Sequence, residues 1–172
     1  MQVFIPYKDI LQVVQEMSCD KRRYNKQIVE CNQILRAIKG ETESWKNHPI
    51  CNQYKNYIEW LEFYRDIFVI YRENNYELKS EKMNDFLLNK ENIKSPPFLL
   101  NQDYLDSHKR RLYQKSPELY PQFKDFNIEN DKSNLYCVTS DFKIPNREGV
   151  SIVNVFLDEN NGKISYILLK YK

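Results

Sequence analysis

Apolar residues recur at helical spacing through residue 125, and the pattern then changes. Ile28, Cys31, Ile34, Leu35 and Ile38 lie three or four residues apart, so a helix is predicted with Asp20 as its N-cap and Gly40 as its stop. Its other side is polar and carries Arg22, Arg23, Lys26, Gln27, Glu30 and Gln33; all but Arg22 fall on one stripe. One face belongs to the core, and the other is offered to a polar partner. A shorter helix is expected from Lys8 to Met17. Before it, Gln2 to Tyr7 is an apolar lead-in that reads as ordered chain rather than a polar tail.

The connector from Glu41 to Asn52 holds Trp45 and the pair His48-Pro49, and proline suits the first turn of a following helix. From Ile50 to Asn75 one long helix is predicted. Tyr54, Tyr57, Ile58, Leu61, Tyr64, Phe68 and Tyr71 share a stripe, while Trp60, Phe63, Ile67 and Ile70 occupy other faces. A helix apolar on most sides is the central element of a bundle. Lys79 to Asn89 predicts a modest helix, and Ser95-Pro96-Pro97 an extended break. Asn101 caps a helix reaching Lys115, and Pro117 opens a short aromatic segment with Tyr120 and Phe123. Beyond Phe126, strands are expected at Tyr136 to Thr139, Val150 to Leu157 and Ile164 to Tyr171. The last two are joined as a hairpin through Asp158-Glu159-Asn160-Asn161-Gly162.

At 172 residues the chain suits one domain plus an extension. Charge narrows the possibilities: 26 basic against 24 acidic residues gives no whole-molecule attraction to a polyanion. A nucleic-acid role must therefore rest on local patches. The three glycines, Gly40, Gly149 and Gly162, are too scattered for a dinucleotide fingerprint or a phosphate loop, so no nucleotide cofactor is expected. Cys19, Cys31, Cys51 and Cys137 form no Cys-x-x-Cys and read as reduced thiols in or near the core. Cys31, His48 and Cys51 offer no standard zinc spacing, so no metal is expected. No apolar run approaches the roughly 20 residues of a membrane span, and the opening Met1 to Pro6 is too short for a leader. A cytoplasmic or nuclear/viral protein is expected, neither secreted nor membrane-bound.

Glu30, flanked by Lys26 and Gln27 and beside Arg23, reads in two ways. It is either an acid/base in a phosphate-binding surface or part of a solvated helix face with an ordinary i,i+4 ion pair. The basic clusters Lys21-Arg22-Arg23 with Lys26, and Lys109-Arg110-Arg111 with Lys115, form a phosphate clamp if they converge and merely solubilise if they do not. His48 and His108 are the only histidines, and no nucleophile elbow accompanies them. Thirteen tyrosines and two tryptophans offer stacking surfaces for bases, although most of those at helical spacing belong to the core.

Several of these segments follow one another in a particular order. Met1-Gln2-Val3-Phe4 with Pro6-Tyr7 and Asp9 comes first, then Asp20-Lys21-Arg22-Arg23 with Lys26-Gln27-Ile28-Val29-Glu30 and Gln33-Ile34-Leu35. Trp45 with His48-Pro49, then Ser107-His108, then Pro117-Glu118-Leu119-Tyr120 complete the set. Over about residues 1–125 the chain resembles the pyrimidine-dimer DNA glycosylase family, typified by phage endonuclease V, and in particular its longer branch.

The resemblance implies a mainly α fold: a compact helical bundle of the endonuclease V type over residues 1–125, with a C-terminal β-hairpin extension over residues 126–172. It implies a DNA glycosylase with abasic-site lyase activity. In such enzymes the N-terminal amine attacks C1′ of the damaged nucleotide, expels the base and forms an imine, and a helix glutamate assists. Glu30 takes the glutamate position. Gln2 stands where the phage enzyme has a small residue, so the amine belongs to Met1 or to Gln2. Arg23 falls at a DNA-contacting histidine, His108 at a phosphate-binding arginine and Tyr120 at an aromatic near the end of the fold. Val29 replaces an arginine. The implied DNA-binding set is Arg22, Arg23, Lys26, His48, His108, Lys109, Arg110, Arg111, Lys115 and Tyr120. The implied partner is double-stranded DNA, bound by a monomer without cofactor. A non-catalytic DNA-binding module on the same fold is the competing reading, and a helical interaction protein the third.

Overall fold

The computed structural model describes residues 2–78, 81–88 and 93–126 and the strand segments 135–140, 153–158 and 164–168. The chain divides into two compact units, Met1–Pro97 and Phe98–Lys172.

The first unit contains α1 (Ile10–Met17), α2 (Lys21–Ile38), α3 (Pro49–Tyr54), α4 (Ile58–Glu73) and α5 (Glu81–Leu88). Asp9 caps α1 by accepting from the Leu11 amide at 2.9 Å. Asp20 caps α2: Oδ1 accepts from the Arg23 amide at 2.9 Å, and Oδ2 takes the Arg23 Nε at 3.0 Å. A cap of this kind is worth about 1 kcal/mol. After α2 the chain turns through Gly40 at φ +75, a left-handed conformation that glycine adopts without a Cβ penalty. The core lies between α2 and α4, with α1 and α3 also against α2. Tyr24, Cys31, Ile34 and Leu35 meet Leu61, Tyr64, Ile67 and Phe68, all buried. The Tyr24 and Phe68 rings are 4.6 Å apart, and the Tyr24 hydroxyl donates to the Phe68 carbonyl at 2.8 Å, so burying this tyrosine leaves no stranded polar group.

The single helix expected from Ile50 to Asn75 is two helices. The chain leaves α3 at Lys55 and re-enters at Tyr57, an N-cap with φ −136 and no side-chain cap bond, whose amide donates to the Tyr54 carbonyl at 2.8 Å. The turn occupies the exposed pair Lys55-Asn56, while Tyr54 and Leu61 stay buried on either side. Apolar periodicity reads straight through such a break.

In the second unit Asn101 caps α6 (Gln102–Lys115) by accepting from the Tyr104 amide at 3.2 Å, and a short 3-10 turn, Pro121–Phe126, packs on that helix. Three strands follow, β1 (Leu135–Ser140), β2 (Val153–Asp158) and β3 (Ile164–Leu168), in the order β1-β2-β3. Both pairings are antiparallel, with Leu135 opposite Asp158 and Val153 opposite Leu168.

The expected fold class is corrected here. Through residue 126 every described element is helical, and no β-hairpin extension is appended to a bundle. The strands form one three-stranded sheet whose β1 lies against α6, inside the unit that begins at Phe98. A lone two-stranded hairpin is marginal in water, and the turn signal at Asp158 to Gly162 reveals only the local pairing. Val150 to Ile152 and Leu169 to Tyr171 lie outside the described residues. No helix among the described residues is long and apolar enough to cross a membrane.

Candidate active site

The first residues of the chain are fastened to α2 by their main-chain amides. The Gln2 N–H donates to Glu30 Oε2 at 2.9 Å, and the Phe4 N–H donates to Gln27 Oε1 at 2.7 Å. Gln27 and Glu30 are neighbours across one helical turn, so they meet alternate residues of the incoming strand of chain. From the other side, the Tyr64 hydroxyl of α4 donates to the Phe4 carbonyl at 2.5 Å. Gln2, Val3, Phe4, Ile5 and Pro6 are all buried.

This arrangement splits the polar stripe of α2. Arg22, Lys26 and Gln33 are exposed and Arg23 is half-buried on Asp20, but Gln27 is 1% and Glu30 6% exposed. The solvated-face reading therefore fails for Gln27 and Glu30, because their acceptors are used by main-chain donors of a distant segment. Lys26 Nζ lies 3.5 Å from Glu30 Oε1. The lysine is well exposed, so water screens this pair, and the shorter amide bond does more to hold the carboxylate. A carboxylate is thus held, buried, on the nitrogen of residue 2. Met1 lies outside the described residues.

His48 closes the other side of this region. Its Nδ1 accepts from the Ile50 amide at 3.2 Å and caps α3, which puts the ring proton on Nε2. Burial, and secondly the charge of the amino terminus, push its pKa down from 6.5 to about 4. Burial raises the neighbouring Cys51 thiol to about 11, against the opposing pull of the same amino-terminal charge. Trp45 is exposed and meets His48 edge-on, with ring centroids 5.6 Å apart. Cys31 is buried, whereas Cys19 is exposed and not packed as expected; Cys137 lies in β1. Among the described residues no three His, Cys, Asp or Glu side chains come together as metal ligands.

In the second unit the residues of the basic run mostly turn inward. His108 is buried, its ring 4.4 Å from that of Tyr104, and burial lowers its pKa to about 3. Lys109 is buried with its Nζ 2.9 Å from Asp106 Oδ1 and 4.5 Å from the centre of the Phe126 ring. Arg110 Nε donates to the Phe126 carbonyl at 3.2 Å, and Arg111 is buried. Tyr120 is buried and stacked on Phe123 at 6.0 Å, and Lys115 is half-exposed. Sequence reasoning missed the parts played by Gln27 and Tyr64 in anchoring the N-terminal segment. The available signal was a glutamine one turn before a glutamate on an otherwise solvated face.

Both histidines predict acid sensitivity. Their folded pKa values lie below the ordinary 6.5, so between that value and about 4 the unfolded chain takes up protons that the native state refuses. Their contribution to stability is complete above pH 6.5 and is lost as pH falls, at no more than about 1.4 kcal/mol per pH unit for each histidine. Melting temperature should drop steeply from pH 6.5 to 4. His48→Asn, which keeps an N-cap acceptor but does not titrate, should flatten the profile; an unchanged slope would mean that His48 is not the group responsible.

Residues 1–76 match the family model described as pyrimidine dimer DNA glycosylase. That span includes Gln2, Lys26, Gln27, Glu30, Trp45, His48 and Tyr64. No curated protein and no solved structure matches the chain.

Proposed function

Because residues 1–76 place the chain in the pyrimidine-dimer DNA glycosylase family, whose function is of the DNA glycosylase/lyase type, we propose that this protein excises a damaged or modified base from duplex DNA through an imine formed by its N-terminal amine, with Glu30 assisting. The observation that carries the reading is the buried Glu30 carboxylate 2.9 Å from the backbone nitrogen of residue 2. A base-excising amine must reach C1′ beside a group that handles charge and protons, and this is where the chain begins.

An α-amine with pKa near 8 is partly unprotonated at neutral pH and needs little activation. It attacks C1′ as the C1′–N bond to the base breaks and the bond's electron pair leaves with the base. Glu30 lowers the energy of the oxocarbenium-like sugar by its negative charge. Loss of the amine proton and opening of the sugar at O4′, which takes up a proton, give the imine. Removal of a C2′ proton then expels the 3′ phosphate and cuts the strand. Glu30 is the base and acid for these transfers. The nucleotide must leave the stack to be reached, and Arg22, Arg23 and Lys26 at the start of α2 are suited to hold the flanking phosphates.

A second reading is favoured by one detail. While residue 1 is attached, the nitrogen on Glu30 is an amide and not an amine, which suits a non-catalytic DNA-binding module on the same fold. Borohydride reduction separates the two. Untagged protein incubated with a duplex holding a thymine dimer or an abasic site should be trapped as a covalent adduct at its first residue. Binding to both duplexes with no adduct would leave the module.

A further inference from the structure

We propose that Trp45 is a wedge that enters the base stack of DNA and fills the gap left by an extruded nucleotide. This rests on the DNA glycosylase reading above and adds the residue that would hold the duplex open.

The chain has two tryptophans, and they are placed in opposite ways. Trp60 is 2% exposed and stacked between Tyr54 and Tyr64, so it packs the core. Trp45 is 54% exposed. A single exposed aromatic is ordinary on a protein surface and by itself signifies nothing. Trp45, however, also has φ +69, a backbone region that bulky L residues avoid. Such a conformation persists only when its surroundings enforce it, and it is common at functional sites.

The loop that enforces it is tied at both ends. The Glu41 amide donates to the Arg36 carbonyl at 2.9 Å, and the His48 amide donates to the Trp45 carbonyl itself at 2.8 Å, where His48 starts α3. The indole meets the His48 ring edge-on. His48 is the residue whose protonation is opposed by the amino-terminal charge, so the indole stands beside the region that contains the proposed nucleophile. Glu43, Ser44, Lys46 and Asn47 around it are exposed and polar. The ring therefore projects alone. One isolated apolar side chain in polar surroundings is far too small for a protein interface, but it has the dimensions of a base and can restore stacking lost at a kink.

Tryptophan emission tests this directly, because the second tryptophan is buried. Duplexes carrying a tetrahydrofuran abasic analogue, or no lesion, would be titrated into wild-type protein and the Trp45→Gly and Trp45→Phe variants. At saturation the abasic duplex should quench and blue-shift the exposed emission of the wild type, and the signal should vanish in both variants. Trp45→Gly relieves the left-handed backbone and should melt no lower than wild type. It should nonetheless lose about tenfold in affinity for the abasic duplex, with intact-duplex binding within about twofold, whereas Trp45→Phe should keep most of the preference. Unchanged wild-type emission at saturation, or an undiminished preference in Trp45→Gly, would overturn the wedge alone. Failure of the wild type to bind either duplex would overturn both the wedge and the glycosylase reading.

Discussion

Replacing Glu30 by glutamine should slow base release by about a hundredfold to ten-thousandfold, the range that a positioned acid/base contributes. The substitution separates chemistry from architecture. Glutamine has the same shape and keeps a carbonyl oxygen to accept the Gln2 amide, so the N-terminal segment should stay docked. The lost ion pair with the exposed Lys26 costs less than about 1 kcal/mol. Removing a negative charge should leave DNA affinity unchanged or slightly improved. Single-turnover cleavage of a dimer-containing duplex reads the rate, gel shift reads the binding, and a melt reads the fold. Undiminished cleavage with a normal melt would remove Glu30 from the mechanism.

Acylating the N-terminus should have an effect of similar size through a different atom. An amide nitrogen is neither basic nor nucleophilic, so a few added residues or an acetyl group at the first position should reduce borohydride trapping to background. A C-terminal tag should leave trapping untouched. The position of the amine matters as well as its existence. Consecutive residues are about 3.8 Å apart, so an amine on residue 1 stands one residue from the nitrogen that Glu30 holds. Intact mass establishes which residue begins the working enzyme, and trapping efficiency per molecule should follow it. Strong trapping by acetylated protein would rule out the terminal amine.

The parts of this structure that were legible in the sequence are those governed by local rules. Asp20 and Asn101 cap the helices they were expected to cap, and α6 ends at the predicted residue, because capping depends on side chains within a few positions. The break between α3 and α4 was invisible, because the buried stripe continues across it. The sheet was half legible: each strand has its own β-prone run, but the partner that turns a hairpin into three strands is separated in sequence from the turn that announces it. The candidate site was legible in membership and not in environment. Glu30 and Gln27 look as solvated as Lys26 in the sequence. What buries them is the docking of residues 2 to 6, a long-range event that α2's own composition does not encode. The inward turn of His108, Lys109 and Arg111 has the same origin.

The anchoring of the N-terminal segment also fixes when the site can exist. Phe4 is bound by Gln27 and Tyr64, the latter 60 residues further along. During synthesis the chain's first residues leave the ribosome long before α4 does, and contacts of such high sequence separation form late. The amine and its carboxylate therefore come together only after the helices of the first unit have been made and packed. A nascent or prematurely terminated chain carries the nucleophile but not its geometry, so the chemistry on DNA is withheld until the fold is complete.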